Sequence, residues 1–428
     1  MKTADLILTN IGQLATCAAT APKRNEQLND AGLRQNAAVA VHNGNIAAVG
    51  DVAEIRREYD AKTVIDAVGN AVVPGFVDAH THVVFAGERI NEFELRIKGA
   101  DYLEILAAGG GILSTMTATR AATPAEMAAQ SRPRLNEMLQ LGTTTAEVKS
   151  GYGLSTESEL HMLQAVEILE DSHPMTLVPT FLGAHAIPPE FSGRSDDFTD
   201  LIIAEMLPQV EKWYRNSIFA KQQIPLFVDV FCEKNAFNLA QSRRVLAAGK
   251  AAGFSLKIHT DEFTALGGTS LAAELGATSA DHLDVTTPEE RAILAASNTI
   301  AVFIPAVNLN FGSSHFADAR AFADDGAAIA LATDINPGSA PCPSMPLVMA
   351  LACRYQKLLP AEALNAATIN AAFAVGMGDR VGSIEVGKAA DLLILKYADF
   401  RHVAYQIGGN PVKTVIKNGK IMDFCDEI

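Results

Sequence analysis

The sequence lacks most of the features that would place it outside a reducing, aqueous compartment. It has five cysteines, Cys17, Cys232, Cys342, Cys353 and Cys425, with no CxxC spacing. An odd, dispersed set does not build a disulfide framework. No apolar run approaches the roughly 18 residues of a membrane span. The opening stretch MKTADLILTNIG carries one lysine and too short an apolar run for a secretory leader. A soluble, cytoplasmic protein is expected. Basic residues are the minority, 34 Lys and Arg against 49 Asp and Glu, a formal charge of −15. That balance argues against nucleic acid or an anionic membrane as partner. It leaves room for a small anionic substrate, because one local arginine outweighs the global sign. There is no short-period repeat and no low-complexity tract.

What the chain does have is apolar mass, 49% of its 428 residues, enough for a large core. Residues 1–73 read as short strands and turns. Asn43-Gly44 lies between Ala37–His42 and Asn45–Val49, a hairpin signal, and Ala21–Gln35 reads as a polar loop. From Pro74 apolar runs alternate with helical segments. Eight strands are expected: Val77–His82, Thr144–Lys149, Thr176–His185, Leu226–Glu233, Ser255–Glu262, Ser279–His282, Ile300–Val307 and Ile329–Asp334. Helix starts are marked by capping boxes at Thr123–Glu126, Thr156–Glu159 and Thr287–Glu290. A long helical region after Pro346 breaks near Pro360, and strands return around Ala390–Leu395 and on either side of Asn418-Gly419. Eight βα units imply a (β/α)8 TIM-like barrel over residues 74–375. Strands at both ends imply a small β-sandwich domain composed of residues 1–73 and 376–428.

In such a barrel the chemistry sits at the C-terminal ends of the strands. Those ends carry His80 and His82, Tyr152, His185, Glu233, His259 and Glu262, His282, and Asp334. Five of the ten histidines fall there, and five (His42, His161, His173, His315, His402) do not. The organising stretch is VVPGFVDAHTHVVFAGER, Val72–Arg89. Two histidines one residue apart on a strand project from the same face and can share a metal ion. An isolated H-x-H is more often two unrelated polar residues; the other His and Asp strand ends favour the metal. With His259 and Asp334 the pair makes an N3O donor set without thiolate, suited to zinc, iron or manganese. Such a site lowers the pKa of bound water from about 16 to about 7. Asp334, Glu262 and His282 are the candidate proton carriers, Asp334 being preferred and the other two orienting the water or the reacting ring.

These residues, the PGFVDAHTH run and the terminal segments Gly387–Leu392 and Val415–Gly419 resemble the amidohydrolase superfamily. Further motifs are His82–Arg89, Gly109–Ile112, Lys149–Gly153, Phe181–His185, His259–Glu262 and Thr333–Ser339. With them the chain resembles the family that hydrolyses 4-imidazolone-5-propanoate to N-formimino-L-glutamate in histidine degradation. The resemblance implies one zinc or iron ion per chain, a carboxylate-bearing small substrate and a homodimer. It implies Arg89 as clamp for the tail carboxylate, Tyr152, His185 and Glu262 as substrate contacts, and Asn336, Gly338 and Ser339 as contacts to the amino-acid end of the ligand. Without it, Arg89 would read as a salt-bridged surface arginine and Gly109–Gly111 as a flexible loop. Three rivals share parts of the pattern. A deaminase of a purine or pyrimidine ring uses the same metal ligands. A binuclear cyclic amidase needs a bridging modified lysine on the fourth strand, where only Lys234 is near. A barrel kept as a non-enzymatic scaffold would show a lost ligand, and none is lost.

Overall fold

A computed structural model describes residues 1–99 and 110–424, so that Gly109 and Cys425 lie outside the described residues. Its centre is one parallel sheet whose strands follow chain order: β1 (Phe76–Asp78), β2 (Thr143–Lys149), β3 (Thr176–Ala184), β4 (Phe227–Cys232), β5 (Ser255–Thr260), β6 (Ser279–His282), β7 (Ile300–Phe303) and β8 (Ile329–Leu331). All eight expected strands are present, each paired in parallel with the next. Helices follow them and cover the outer face. Strands buried on both sides must be apolar along their length, and Ala327–Ala332 is wholly inaccessible.

Several strands stop earlier than the sequence suggests. β7 ends at Phe303 because Pro305 opens the helix Pro305–Asn310. β1 ends at Asp78 rather than His82. Its extension is still paired, but across the barrel seam. Asp334 N donates to His80 O and His82 N to Ile335 O, both at 3.0 Å. On the other side Lys149 N donates to Thr81 O at 3.0 Å. The seam is locked by the buried Asp78 carboxylate, which accepts from Thr333 N at 3.0 Å and Thr333 Oγ1 at 2.5 Å. Residues 79–82 therefore bridge the first, second and last strands.

The helix Pro124–Gln140 begins with the full Thr123–Glu126 capping box. The other two boxes differ from expectation. Thr287 caps the amide of Glu290, whose carboxylate turns instead to Ser270. The helix Thr156–Ser172 is capped by Ser155, not Thr156, which frees Glu159 for a different task. The helical region after β8 breaks at Pro360 and again at Thr368, giving Met345–Tyr355, Pro360–Ala366 and Ile369–Ala374. No described helix is long and apolar enough to cross a membrane.

The termini build two further sheets. Four strands lie in the order Asn45–Asp51, Ala37–His42, Lys2–Ile11, Tyr59–Asp66. Six lie in the order Lys420–Ile421, Val412–Lys417, Leu392–Leu395, Val72–Pro74, Leu14–Ala15, Leu33–Arg34, so both ends of the chain share one sheet. Leu6, Leu8, Val39 and Val41 of the first pack with Leu392, Ile394 and Ile416 of the second. Both Asn-Gly pairs take left-handed turns, Asn43 at φ 51° and Gly44 at 78°, Asn418 at 48° and Gly419 at 72°. The expected loop over Ala21–Gln35 also holds a helical turn, Asn25–Leu28, and the short strand Leu33–Arg34.

Candidate active site

Four side-chain atoms face one another at the C-terminal mouth of the barrel. His82 Nε2 lies 3.2 Å from His259 Nε2. Asp334 Oδ1 lies 3.5 Å from His82 Nε2 and 3.6 Å from His80 Nε2. His80 Nε2 and Asp334 Oδ1 are buried without a hydrogen-bond partner, which native interiors rarely tolerate. Zinc–nitrogen bonds of about 2.0–2.1 Å give a tetrahedral edge of about 3.3 Å, so the donor set fits a metal ion. His282 is also close: its ring, that of His80 and the Asp334 carboxylate offer donor atoms within 4.8 Å of one another. Burial, reinforced by Lys149 or neighbouring histidines, pushes His80, His82 and His282 well below the usual imidazole range. Neutral imidazole is the form that ligates metal.

Beneath these atoms lies a layer of charge that the sequence reading did not identify. His80 Nδ1 donates to Asp281 at 2.6 Å. His259 Nδ1 lies 3.0 Å from Asp229. Lys149, at the end of β2, donates to Asp229 at 2.7 Å and Glu147 at 2.9 Å, and lies 3.7 Å from Asp281. Burial works to neutralise Lys149, but Asp229, Glu147 and Asp281 outweigh it and raise its pKa. His259 and Lys149 together hold the Asp229 carboxyl below its usual range against its own burial. β4, FVDVFC, contains no lysine, so a bridging modified lysine has no residue there. The available signal was a charged side chain inside a run that parallel strands otherwise keep apolar.

Above these donor atoms opens a cavity of about 550 Å³. Every site residue expected from the sequence lines it except His80, which lies under its floor. Tyr152 is buried, and burial, with Asp334 nearby, keeps its hydroxyl protonated. Its loop is held by Glu159, whose carboxylate accepts from the amides of Gly151, Gly153 and Leu154 at 2.9, 2.8 and 2.7 Å. His185 Nδ1 donates to Gly151 O at 3.0 Å, and burial lowers its pKa to about 3. Neutral and protonated on Nδ1, it keeps Nε2 as an acceptor. Its ring stacks on that of His82 at 4.9 Å. Glu262 is pushed well above the carboxylate range, first by burial and then by Asp334, Asp284 and Glu233. Its Oε2 lies 3.9 Å from His282 Nε2. His282 and Asp334 both adopt left-handed backbone, φ 83° and 53°, the local strain that concentrates at functional sites.

The cavity wall also holds Arg89, whose Nε and Nη2 donate to Glu92 at 2.8 and 2.6 Å. A Cβ at Gly338 would come within 2.3 Å of Arg89 Nη1, so any larger residue there would displace the guanidinium. Asn336 lines the cavity, but its amide nitrogen donates to Asp334 O and Ser339 Oγ, both at 2.7 Å. Its Oδ1 accepts from the amides of Gly338 and Ser339, at 2.8 and 2.7 Å. Its side chain thus shapes the turn that carries Gly338 and Ser339. Glu92 and Arg96, both lining the cavity, were missed by the sequence reading; Arg96 Nη1 donates to Gly338 O at 2.9 Å.

Comparison with known proteins agrees with this geometry. A family model described as the amidohydrolase family matches residues 241–422. An imidazolonepropionase of Chloroflexus aggregans is 54% identical over 99% of this chain and 99% of its own. One of Symbiobacterium thermophilum is 46% identical over 99% and 98%, and one of Geobacillus kaustophilus 45% identical over 97% of each chain. Among solved structures, an adenosine deaminase from Xanthomonas campestris with bound zinc superposes with a TM-score of 0.70 at 22% identity, over 98% of this chain and 93% of that one. E. coli guanine deaminase gives 0.66 at 17% identity over 99% of both. At those identities the two structures share the fold. Near-full-length identity to named relatives goes further: the chain belongs to the imidazolonepropionase family of amidohydrolases.

Proposed function

We propose that the protein hydrolyses the cyclic amide C–N bond of 4-imidazolone-5-propanoate, giving N-formimino-L-glutamate, with one transition-metal ion held by His80, His82, His259 and Asp334. The observation that carries this reading is the inward-facing N3O donor set at the floor of a cavity whose wall carries the Arg89 guanidinium. Bound there, zinc or iron would acidify water and polarise the ring carbonyl. The chain's own groups do the rest. Arg89 holds the propionate carboxylate. His185, an acceptor at Nε2, takes a hydrogen bond from a ring N–H rather than donating to the carbonyl. Tyr152 orients the ring through its hydroxyl. Asp334 accepts a proton from the attacking water, whose oxygen bonds to the carbonyl carbon. Glu262 and His282 face that carbon's side of the cavity and orient the water. As the C–N bond breaks, the proton passes to the departing ring nitrogen and the former carbonyl carbon becomes a carboxylate.

Metal analysis combined with product identification tests the reading. One zinc or iron ion per chain and formation of N-formimino-L-glutamate are expected. Ammonia release from guanine, cytosine or an adenosine analogue, without turnover of the imidazolone, would establish the deaminase instead. Two ions per chain would remove the mononuclear assignment. A cytoplasmic location is supported by Cys17, Cys232, Cys342 and Cys353 all being unpaired. The homodimer rests on the family resemblance, and light scattering of the purified protein decides it.

A further inference from the structure

We propose that Glu92 is a positioning residue that turns Arg89 toward the tail of the substrate. The inference rests on reading the cavity as the site of an imidazolone bearing a carboxylate tail. A guanidinium offers five N–H donors in a rigid planar fork. Glu92, 4% exposed, takes the side-on edge: Oε1 accepts from Arg89 Nε at 2.8 Å and Oε2 from Arg89 Nη2 at 2.6 Å. That leaves the end-on edge, formed by Nη1 and the second N–H of Nη2, for another carboxylate. Gly338 leaves room for the guanidinium: a Cβ there would come within 2.3 Å of Nη1. Arg96 reaches Gly338 O at 2.9 Å and lies 3.5 Å from Glu92 Oε2, fixing the same turn from the far side. The Glu92 Oε1 atom also accepts from Gly111 N at 2.7 Å, so one carboxylate ties the arginine to the glycine loop at the cavity wall.

The charge pattern makes the proposal selective. Two guanidinium groups around one carboxylate leave a single positive excess, which a propionate matches and a neutral nucleobase does not. Burial opposes ionisation of Glu92, and Arg89, with Gly111 and Arg96, overcomes it.

Position and charge predict opposite results. As a negative group beside the tail pocket, Glu92 repels an anionic substrate, so on charge alone its neutralisation would tighten binding. As a positioning group, its loss weakens binding. The experiment measures kcat and KM of Glu92→Gln and Glu92→Asp in the metal-loaded enzyme, with 4-imidazolone-5-propanoate and with the analogue whose tail is a neutral amide. Expected is a KM increase of about tenfold or more for the carboxylate substrate in both variants, the scale of one charge-assisted hydrogen bond. kcat should stay within about threefold, and the neutral-tail analogue should show the same KM in variant and wild type. Glu92→Asp keeps the charge and only withdraws the carboxylate, so it decides the matter even if Glu92→Gln does not fold. An unchanged or lowered KM overturns the proposal, as does an equal loss for the neutral-tail analogue. Absence of wild-type turnover would instead overturn the proposed function, and this inference with it.

Discussion

Asp281 holds His80 by its Nδ1 at 2.6 Å, and this contact decides which nitrogen of His80 faces the cluster. A carboxylate can only accept, so the proton sits on Nδ1 and the lone pair of Nε2 points inward. Asp229 faces His259 Nδ1 at 3.0 Å, and Lys149 lies between the two carboxylates. Partners of this kind fix ring orientation and raise ligand basicity, and losing one typically costs about 10- to 100-fold in metal affinity. Asp281→Asn should therefore weaken metal binding by that order in a chelator competition assay. Lys149→Met should do at least as much, since it leaves buried carboxylates unpaired. Wild-type affinity in both would show that the layer is structural only.

Asp334→Ala should abolish turnover. The residue is both an expected ligand and the expected proton acceptor, and loss of an acid–base group alone costs about 100- to 10,000-fold. The fold should survive. The amide of residue 334 keeps its bond to His80 O across the seam, and the substitution removes a carboxyl that burial already disfavours as an anion. Alanine at φ 53° adds strain of about 1 kcal/mol. Circular dichroism should be native, with the melting midpoint shifted by no more than a few degrees. Retained turnover would return the proton-carrier role to Glu262 or His282.

Much of this was legible in the chain itself. Parallel strands buried on both faces appear as apolar runs, and a barrel places its chemistry where those runs end; His185, Glu233 and His282 fall there. What was not legible is what depends on partners far away in sequence. His80 and His82 lie beyond the regular part of β1, and converge because residues 79–82 pair with residues 334 and 335 some 250 positions later. Thr156–Glu159 satisfies the capping-box pattern, yet Ser155 caps the helix and Glu159 turns to the Tyr152 loop, whose three amide donors outcompete one. Asp229, Asp281 and Lys149 look out of place inside apolar strands until their mutual pairing is seen.

Arg89→Ala should act mainly on binding. In the proposed function its guanidinium is the charge-assisted partner of the tail carboxylate, and one such contact is worth about 1.5–3 kcal/mol, or roughly 10- to 100-fold in KM. kcat should change little, because Arg89 is not among the residues expected to hold the metal or move the proton. The variant also strands Glu92, which loses its two shortest hydrogen bonds from side chains, both donated by Arg89. Lysine should not restore KM, because an ammonium cannot bridge Glu92 and the substrate as a planar fork does. An unchanged KM in Arg89→Ala would remove the clamp assignment.

Stability should carry a pH dependence from Glu170, remote from the metal cluster. This residue lies in the last turn of the helix Thr156–Ser172 and accepts from Leu177 N at 2.6 Å. Burial pushes its pKa up to about 7, against the opposing pull of the Leu177 amide, Lys417 and Arg380. In the unfolded chain a glutamate titrates near 4.3, about its ordinary value. Below that pH both states hold the proton and Glu170 contributes no pH dependence. Between about pH 4.3 and 7 the folded state keeps a proton that the unfolded state has lost, so its contribution to stability falls as pH rises. Above about 7 both states are ionised and the destabilisation is constant. Glutamine cannot ionise and keeps an oxygen for the Leu177 amide. The melting midpoint of Glu170→Gln relative to wild type should therefore climb from pH 4.5 to 7 and then level off. A difference that stays flat across that range would mean that Glu170 titrates alike in the folded and unfolded chain, and that its burial does not disfavour the charge.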